Sequence, residues 1–230
     1  MAQAGLLVLD NALDHDYYRP VDHWTAAAGF EPEAIHVAAG QPLPSVDAYP
    51  HVILTGSEAS ITQRAGWAEE EARWLAEAIR AGTAVLGSCW GHQLIALALA
   101  GPGAVRRSDS PEFGWLEVQV ADTGGLLPAA GFATFVSHFD EVAPDCHPDC
   151  RCLASTPGCQ VQAMRWADKP VWGIQAHPEV DPDTGRGFLK GASNKWPEHK
   201  ALFEAGLAGP VVDTGAGVDL VSRFLATGRR

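Results

Sequence analysis

The residues of this chain best suited to covalent chemistry lie in Val85-Leu-Gly-Ser-Cys-Trp-Gly-His-Gln93. An apolar run stops at Gly-Ser, a cysteine follows, and an apolar segment continues from Leu94 to Ala100. That order predicts a strand, a sharp turn and a helix, with the Cys89 thiol at the corner as in a nucleophile elbow. Gly87 and Gly91 let the backbone bend and let another group approach the sulphur. The helix start behind Cys89 offers free N–H groups and a positive dipole end, which favour thiolate over thiol. A second stretch, Val171-Trp-Gly-Ile-Gln-Ala-His-Pro-Glu179, reads as a buried strand ending in His177, Pro178 and Glu179. A histidine there can take the thiol proton and later protonate a leaving amine. Glu179 can orient the imidazole and stabilise its charged form, completing a Cys-His-Glu triad. Pro178 stiffens the turn between them. The tetrahedral intermediate of acyl transfer needs donors at its oxyanion, and the N–H of Trp90, next after the nucleophile, is one candidate.

These groups need a framework. Continuous or alternating apolar runs predict strands at 5–9, 51–54, 85–86, 114–120, 133–136, 161–166 and 171–175. Helices are expected at 18–28 and 67–79. In the latter, apolar residues recur at 68, 72, 75 and 79 and the acids at 69, 70 and 71 read as a solvated face. After Glu179 the pattern turns helical, at 184–190, 197–207 and 216–225. The early β-α-β alternation argues for a parallel, doubly wound sheet, and the closely spaced later strands could add antiparallel pairing. One domain over 1–230 is the expectation, with a core of about 5–180 and a helical segment 181–230.

The chain has 230 residues, is 47% hydrophobic and carries a formal net charge of −12. So acidic a protein is a poor candidate for binding nucleic acid or an anionic membrane. No apolar run approaches a membrane span. The first ten residues have no basic region and read as the approach to a strand, so no signal peptide is expected and the cytoplasm is the default compartment. Five cysteines are present, with four crowded between Cys146 and Cys159. Their odd count suits a free reactive thiol better than a disulphide framework. Cys146-His-Pro-Asp-Cys-Arg-Cys152 carries zinc-type ligands at spacing unlike a paired knuckle, and His15, His23, His36, His51, His92, His147 and His199 show no ligand spacing. No metal and no cofactor are expected.

Two motifs together resemble one family. Gly87-Ser-Cys89-Trp-Gly91-His-Gln93 is similar to the G-x-C-x-G-x-Q nucleophile motif of class I, triad-type glutamine amidotransferases. Gln175-Ala-His177-Pro-Glu179 is similar to that family's Q-x-H-P-E. Between them, Glu112-Phe-Gly-Trp115 and Ser137-His-Phe-Asp-Glu-Val142 resemble segments of the branch related to the GMP synthase glutaminase domain, and Ile53-Leu-Thr-Gly-Ser57 sits where the family has its oxyanion loop. The resemblance runs from about residue 5 to 180. It implies the class I amidotransferase α/β fold, a mostly parallel mixed sheet flanked by helices with a nucleophile elbow. It also implies a second oxyanion donor in the loop at Gly56, where relatives carry Gly-Gly-Pro and this chain carries Gly-Ser-Glu. Gln93 is then expected to help frame the substrate side chain or cap the nucleophile loop. Ser137 and His138 fall in the segment that holds the α-amino and α-carboxylate groups.

The implied reaction is hydrolysis of the glutamine γ-carboxamide through a Cys89 thioester. No synthase domain or S-G-G-x-D-S loop is found, so ammonia would pass to a separate synthase partner. The same triad would serve a γ-glutamyl peptide or conjugate hydrolase. A non-catalytic binding or regulatory protein is the reading from another class.

Overall fold

A computed structural model describes residues 5–64 and 66–227. The expectation about a signal peptide falls partly on residues 1–4, outside the described residues. In chain order the elements are β1 (Leu6–Asp10), α1 (Pro20–Ala28), β2 (Glu33–His36), β3 (His51–Leu54), α2 (Gly66–Arg80), β4 (Ala84–Ser88) and α3 (Trp90–Ala100). Then come β5 (Val105–Val120), β6 (Phe132–Val142), β7 (Cys150–Ser155), β8 (Ala163–Trp166) and β9 (Val171–Ile174), followed by α4 (Pro182–Lys195), α5 (Lys200–Ala208) and α6 (Ala216–Leu225).

The strands form one nine-stranded sheet in the order β2-β1-β3-β4-β9-β8-β7-β5-β6. The first five in that order are parallel, and the remainder pair antiparallel. This is the expected mixed α/β sheet. β1, β3 and β4 are buried along their whole length, which is why they read as unbroken apolar runs: helices cover both faces of a parallel sheet. Alternate residues enter opposite cores. Leu7, Leu9, Leu54 and Val85 pack with α2 and α3, whereas Leu6, Val8, Ile53 and Leu86 pack with Trp24 of α1 and Leu220, Val221 and Phe224 of α6. Each such fully buried side chain contributes about 1.5–3 kcal/mol.

Four expectations are corrected. β2 was not foreseen: its first two residues, Glu33 and Ala34, are exposed, so the edge strand shows no apolar run. β5 and β6 are much longer than 114–120 and 133–136 and form a long antiparallel pair, with a bulge between Arg107 and Glu112. Arg106, Arg107, Ser108, Asp109 and Ser110 hide that strand from an apolar-pattern reading, and Pro111 lies within the bulge, where a missing N–H is tolerated. Cys150 and Cys152, outside every strand expected from the sequence, stand on β7 inside the sheet. Finally, Glu71 of α2 is fully buried; only Glu69 and Glu70 of the three acids face solvent.

The order of the sheet positions the chemistry. β4 and β9 are parallel neighbours, with Gly87 opposite Gly173 and Ser88 opposite Ile174. The residues that follow the two strands therefore emerge side by side at the carboxyl end of the sheet, where doubly wound folds bind ligands.

Candidate active site

Cys89 takes up the corner between β4 and α3 with φ 49° and ψ −105°. A non-glycine residue held there stores about 1–3 kcal/mol of strain, which the surrounding packing must offset. The surroundings are tight. A Cβ on Gly87 would lie 2.5 Å from the Gly91 carbonyl, and one on Gly91 would lie 2.5 Å from the Leu54 carbonyl oxygen. Both glycines are thus required by contact between backbones. The Cys89 N–H is held by the Ile174 carbonyl at 2.8 Å, and the Gly91 N–H by that of Thr55 at 3.1 Å. Sγ sits 3.6 Å from the Ser137 carbonyl oxygen, and Nε2 of Gln175 donates to it at 3.5 Å.

His177 and Glu179 follow β9. Nδ1 of His177 is 2.9 Å from Oε1 of Glu179, so the imidazole turns its other nitrogen away from the carboxylate. The backbone of His177 is pinned on both sides: its N–H donates to the Phe135 carbonyl at 2.8 Å, and its carbonyl accepts from Thr134 Oγ1 at 3.1 Å. Glu179 also accepts from the Tyr18 hydroxyl at 2.7 Å and from Ser88 Oγ at 3.2 Å. Burial opposes charge on His177, but the Cys89 sulphur and the Glu179 carboxylate outweigh it and push the imidazole pKa up to about 10. Glu179 is likewise desolvated, yet His177 and Tyr18 hold it below the usual carboxylate range. Each partner stabilises the other's charge, so the pair is ionic across the neutral range.

The N–H groups of Trp90 and Gly56 donate to nothing among the described residues. That of Cys89 is consumed by Ile174, which removes it as an oxyanion donor. Gly56 lies directly beneath the imidazole: a Cβ there would come within 2.7 Å of His177 Cε1 and 3.6 Å of Cys89 Cβ. The Trp90 ring is fully buried and packs on Trp67, with centroids 5.0 Å apart. Its backbone faces the chemistry while its side chain belongs to the core. His92 is also buried, chiefly desolvation pushes its pKa down to about 3, and it stays neutral.

A cavity of about 200 Å³ opens over Cys89 and is bordered by Gln93, Ser137 and His138. Gln93 is a framework residue, since its Nε2 donates to the Asp140 carbonyl at 2.6 Å and to Gln175 Oε1 at 3.1 Å. The His138 ring is turned from the cavity onto Glu112, Nε2 to Oε2 at 3.2 Å, inside a network with Thr156 and Gln162. Ser137 contributes the carbonyl beside Sγ. Across the cavity stand Glu58 and Arg107. Arg107 pairs with Asp140 at 3.3 Å and lies over the Phe139 ring at 4.3 Å. Phe188 and Trp196, at α4 and just past its end, and Phe203 of α5 close the far wall. Tyr18, Ser88, Glu58 and Arg107 were not singled out from sequence. Gln175 stood in the quoted motif without a role, and only its apposition to Gln93 and Sγ supplies one.

A strained cysteine elbow at the carboxyl end of a parallel sheet, facing a buried histidine–glutamate pair, defines a doubly wound α/β protein equipped for nucleophilic acyl chemistry. The profile of the glutamine amidotransferase class-I family matches residues 25–190, and the chain belongs to that family. A glutamine-hydrolyzing GMP synthase of Aeropyrum pernix is 39% identical over 145 residues, 62% of this chain and 26% of that protein. A subunit of the glutamine-hydrolyzing GMP synthase of Methanothermobacter thermautotrophicus is 40% identical over 100 residues, 42% of this chain and 51% of that protein. The chain thus matches about a quarter and about half of these relatives' lengths. A glutamine amidotransferase structure from Methylobacillus flagellatus superposes with TM-score 0.77 at 18% identity, covering 100% of this chain and 97% of that one. One from Thermotoga maritima gives 0.74 at 16% identity, covering 97% of each. Likeness at these identities concerns the fold.

Proposed function

We propose that this protein hydrolyses the γ-carboxamide of glutamine to glutamate and ammonia through a thioester on Cys89. The observation that carries the reading is the strained Cys89 elbow beside a His177 imidazole held ionised, against burial, by the Cys89 sulphur and by Glu179 at 2.9 Å. The thiolate attacks the amide carbon, and the oxyanion that forms takes the free N–H groups of Trp90 and Gly56. Imidazolium His177 gives its proton to the departing nitrogen, which leaves as ammonia. Water then attacks the thioester while His177 takes one of its protons, and glutamate leaves as Sγ returns to thiolate. Backbone atoms of Ser137 and His138 hold the amino-acid end, with the Arg107 charge beside its α-carboxylate, and Gln93 keeps Gln175 aimed at Sγ. The ammonia passes to a separate synthase partner in the cytoplasm. The relatives named as GMP synthase subunits support that partner class.

One observation favours a second substrate. The cavity over Cys89 also carries an aromatic wall of Phe188, Trp196 and Phe203. A γ-glutamyl peptide or conjugate with an apolar leaving group would fill it. The test is glutamate release from glutamine and from γ-glutamyl dipeptides, against Cys89→Ala. Turnover lost in the variant supports the mechanism, and the preferred substrate chooses between the two readings. Equal, non-zero turnover by the variant and the wild type overturns the Cys89 mechanism in both readings, and a binding function that the variant keeps, with no glutamate release by either protein, leaves a binding module.

A further inference from the structure

At the carboxyl end of the sheet, one strand position from the oxyanion loop, three side chains meet that no part of the proposed reaction uses. Asp10 ends β1 and His36 ends β2, and the parallel register sets them opposite each other. His15 folds back from the loop after β1. One carboxylate oxygen and one ring nitrogen of each histidine lie within 4.8 Å of one another, the only such three-residue grouping among the described residues. Nothing in the spacing of these residues along the chain announces it, because the convergence comes from strand pairing.

We infer that Asp10, His15 and His36 form a binding site for one divalent transition-metal ion of the zinc class. The donor set is two imidazoles and one carboxylate, the set that leaves a fourth position for water. The distances suit it. Ligand atoms about 2.0–2.1 Å from a tetrahedral zinc lie about 3.3 Å apart, and Asp10 Oδ2 is 2.9 Å from His15 Nε2. The outer contacts suit it too. Asp10 Oδ1 accepts the Ala12 N–H at 3.1 Å, and Oδ2 is hydrogen-bonded to His15 Nε2, the one contact an ion between them would replace. His36 Nε2 donates to the Ala12 carbonyl at 2.8 Å, the type of backbone contact that fixes the tautomer of a ligating histidine. The two imidazoles stack with centroids 4.7 Å apart. The Asp10 side chain is 4% exposed and that of His15 33%, so the carboxylate is sheltered and the ion has an entry path. A net charge of −12 draws cations to the surface.

An ion here would brace the loop that supports Gly56. The Asn11 N–H donates to Thr55 Oγ1 at 2.9 Å, and the Leu13 N–H to Glu58 Oε2 at 2.8 Å. The site itself stands independently of the proposed reaction, so binding is the primary readout. Chelator-treated full-length protein is titrated with Co²⁺ and followed by visible absorption, then with Zn²⁺ by calorimetry. One equivalent should bind, with d–d bands and no thiolate-to-cobalt charge transfer, and Tm should rise. His36→Ala and Asp10→Asn should each weaken binding by about 100-fold or more, while a Cys146→Ser, Cys150→Ser variant binds as the wild type does. Circular dichroism checks that each variant is folded, and His15→Ala supplies a third, more exposed position should Asp10→Asn misfold. Absence of uptake overturns the site. So does a thiolate charge-transfer band lost in the cysteine variant, or wild-type affinity in folded His36→Ala.

Discussion

Glu71 offers a quantitative test of the packing beneath the site. It sits on the buried face of α2, fully enclosed, and neither carboxylate oxygen makes a well-formed hydrogen bond among the described residues. Burial outweighs the weak pull of the nearby Asn11 amide and pushes its pKa from 4.5 up to about 8. The sign follows from proton linkage. Between these two values the folded protein binds more protons at this position than the unfolded chain. Stability from this group is therefore complete below pH 4.5 and is lost as pH rises through 8. With those two pKa values, the group's contribution falls by about 2 kcal/mol between pH 6 and pH 8. Glu71→Gln keeps the shape and removes the titration. Urea unfolding of both proteins at pH 6, 7 and 8 gives a double difference in which all other titrating groups cancel. These values stay above the isoelectric point of about 5.1, where solubility is poorest. The variant should gain on the wild type by about 2 kcal/mol across the interval. Parallel stability profiles would falsify the claim that Glu71 is held neutral by burial.

Three further outcomes follow from the site. Because His177 is pushed up to about 10, the alkaline limb of the turnover profile should lie near pH 10, where the imidazolium loses its proton; in Glu179→Gln it should move to lower pH, and an unmoved limb would detach Glu179 from His177. Gly56→Ala keeps the backbone donor but drives a methyl to within 2.7 Å of His177 Cε1, so kcat should fall by about 100-fold or more with unchanged circular dichroism; wild-type kcat would exclude this apposition. Tyr18→Phe removes a 2.7 Å bond to buried Glu179, at a cost of about 1–3 kcal/mol, visible as about tenfold or more in kcat; an unaltered kcat would make Tyr18 only a packing residue.

Much of this molecule is legible along the chain because it is local. The β4–Cys89–α3 corner is encoded by an apolar run, two glycines and a helix start within a short stretch, and Pro178 spaces His177 from Glu179. Buried parallel strands such as β1 and β3 declare themselves because both faces must be apolar. Edge and hairpin strands do not: β2 is half exposed, and the first half of β5 presents charge to solvent and to Asp140 and Glu141. The acids of α2 show the limit of periodicity, which places a residue on a helix face without saying how far the neighbours wrap around it.

The elbow, the order of the motifs and the α/β alternation are written along the chain, within short stretches of it. That β9 lies beside β4, so that His177 meets Cys89, follows from the folded sheet alone. The tertiary structure alone brought Tyr18 and Ser88 onto Glu179, turned the His138 ring from the cavity to Glu112, and joined Asp10, His15 and His36 at one edge. The physical reason is that local propensity and period specify which face of a strand or helix is apolar. Which strands become neighbours, and in what register, is settled by burying both faces of the whole sheet at once.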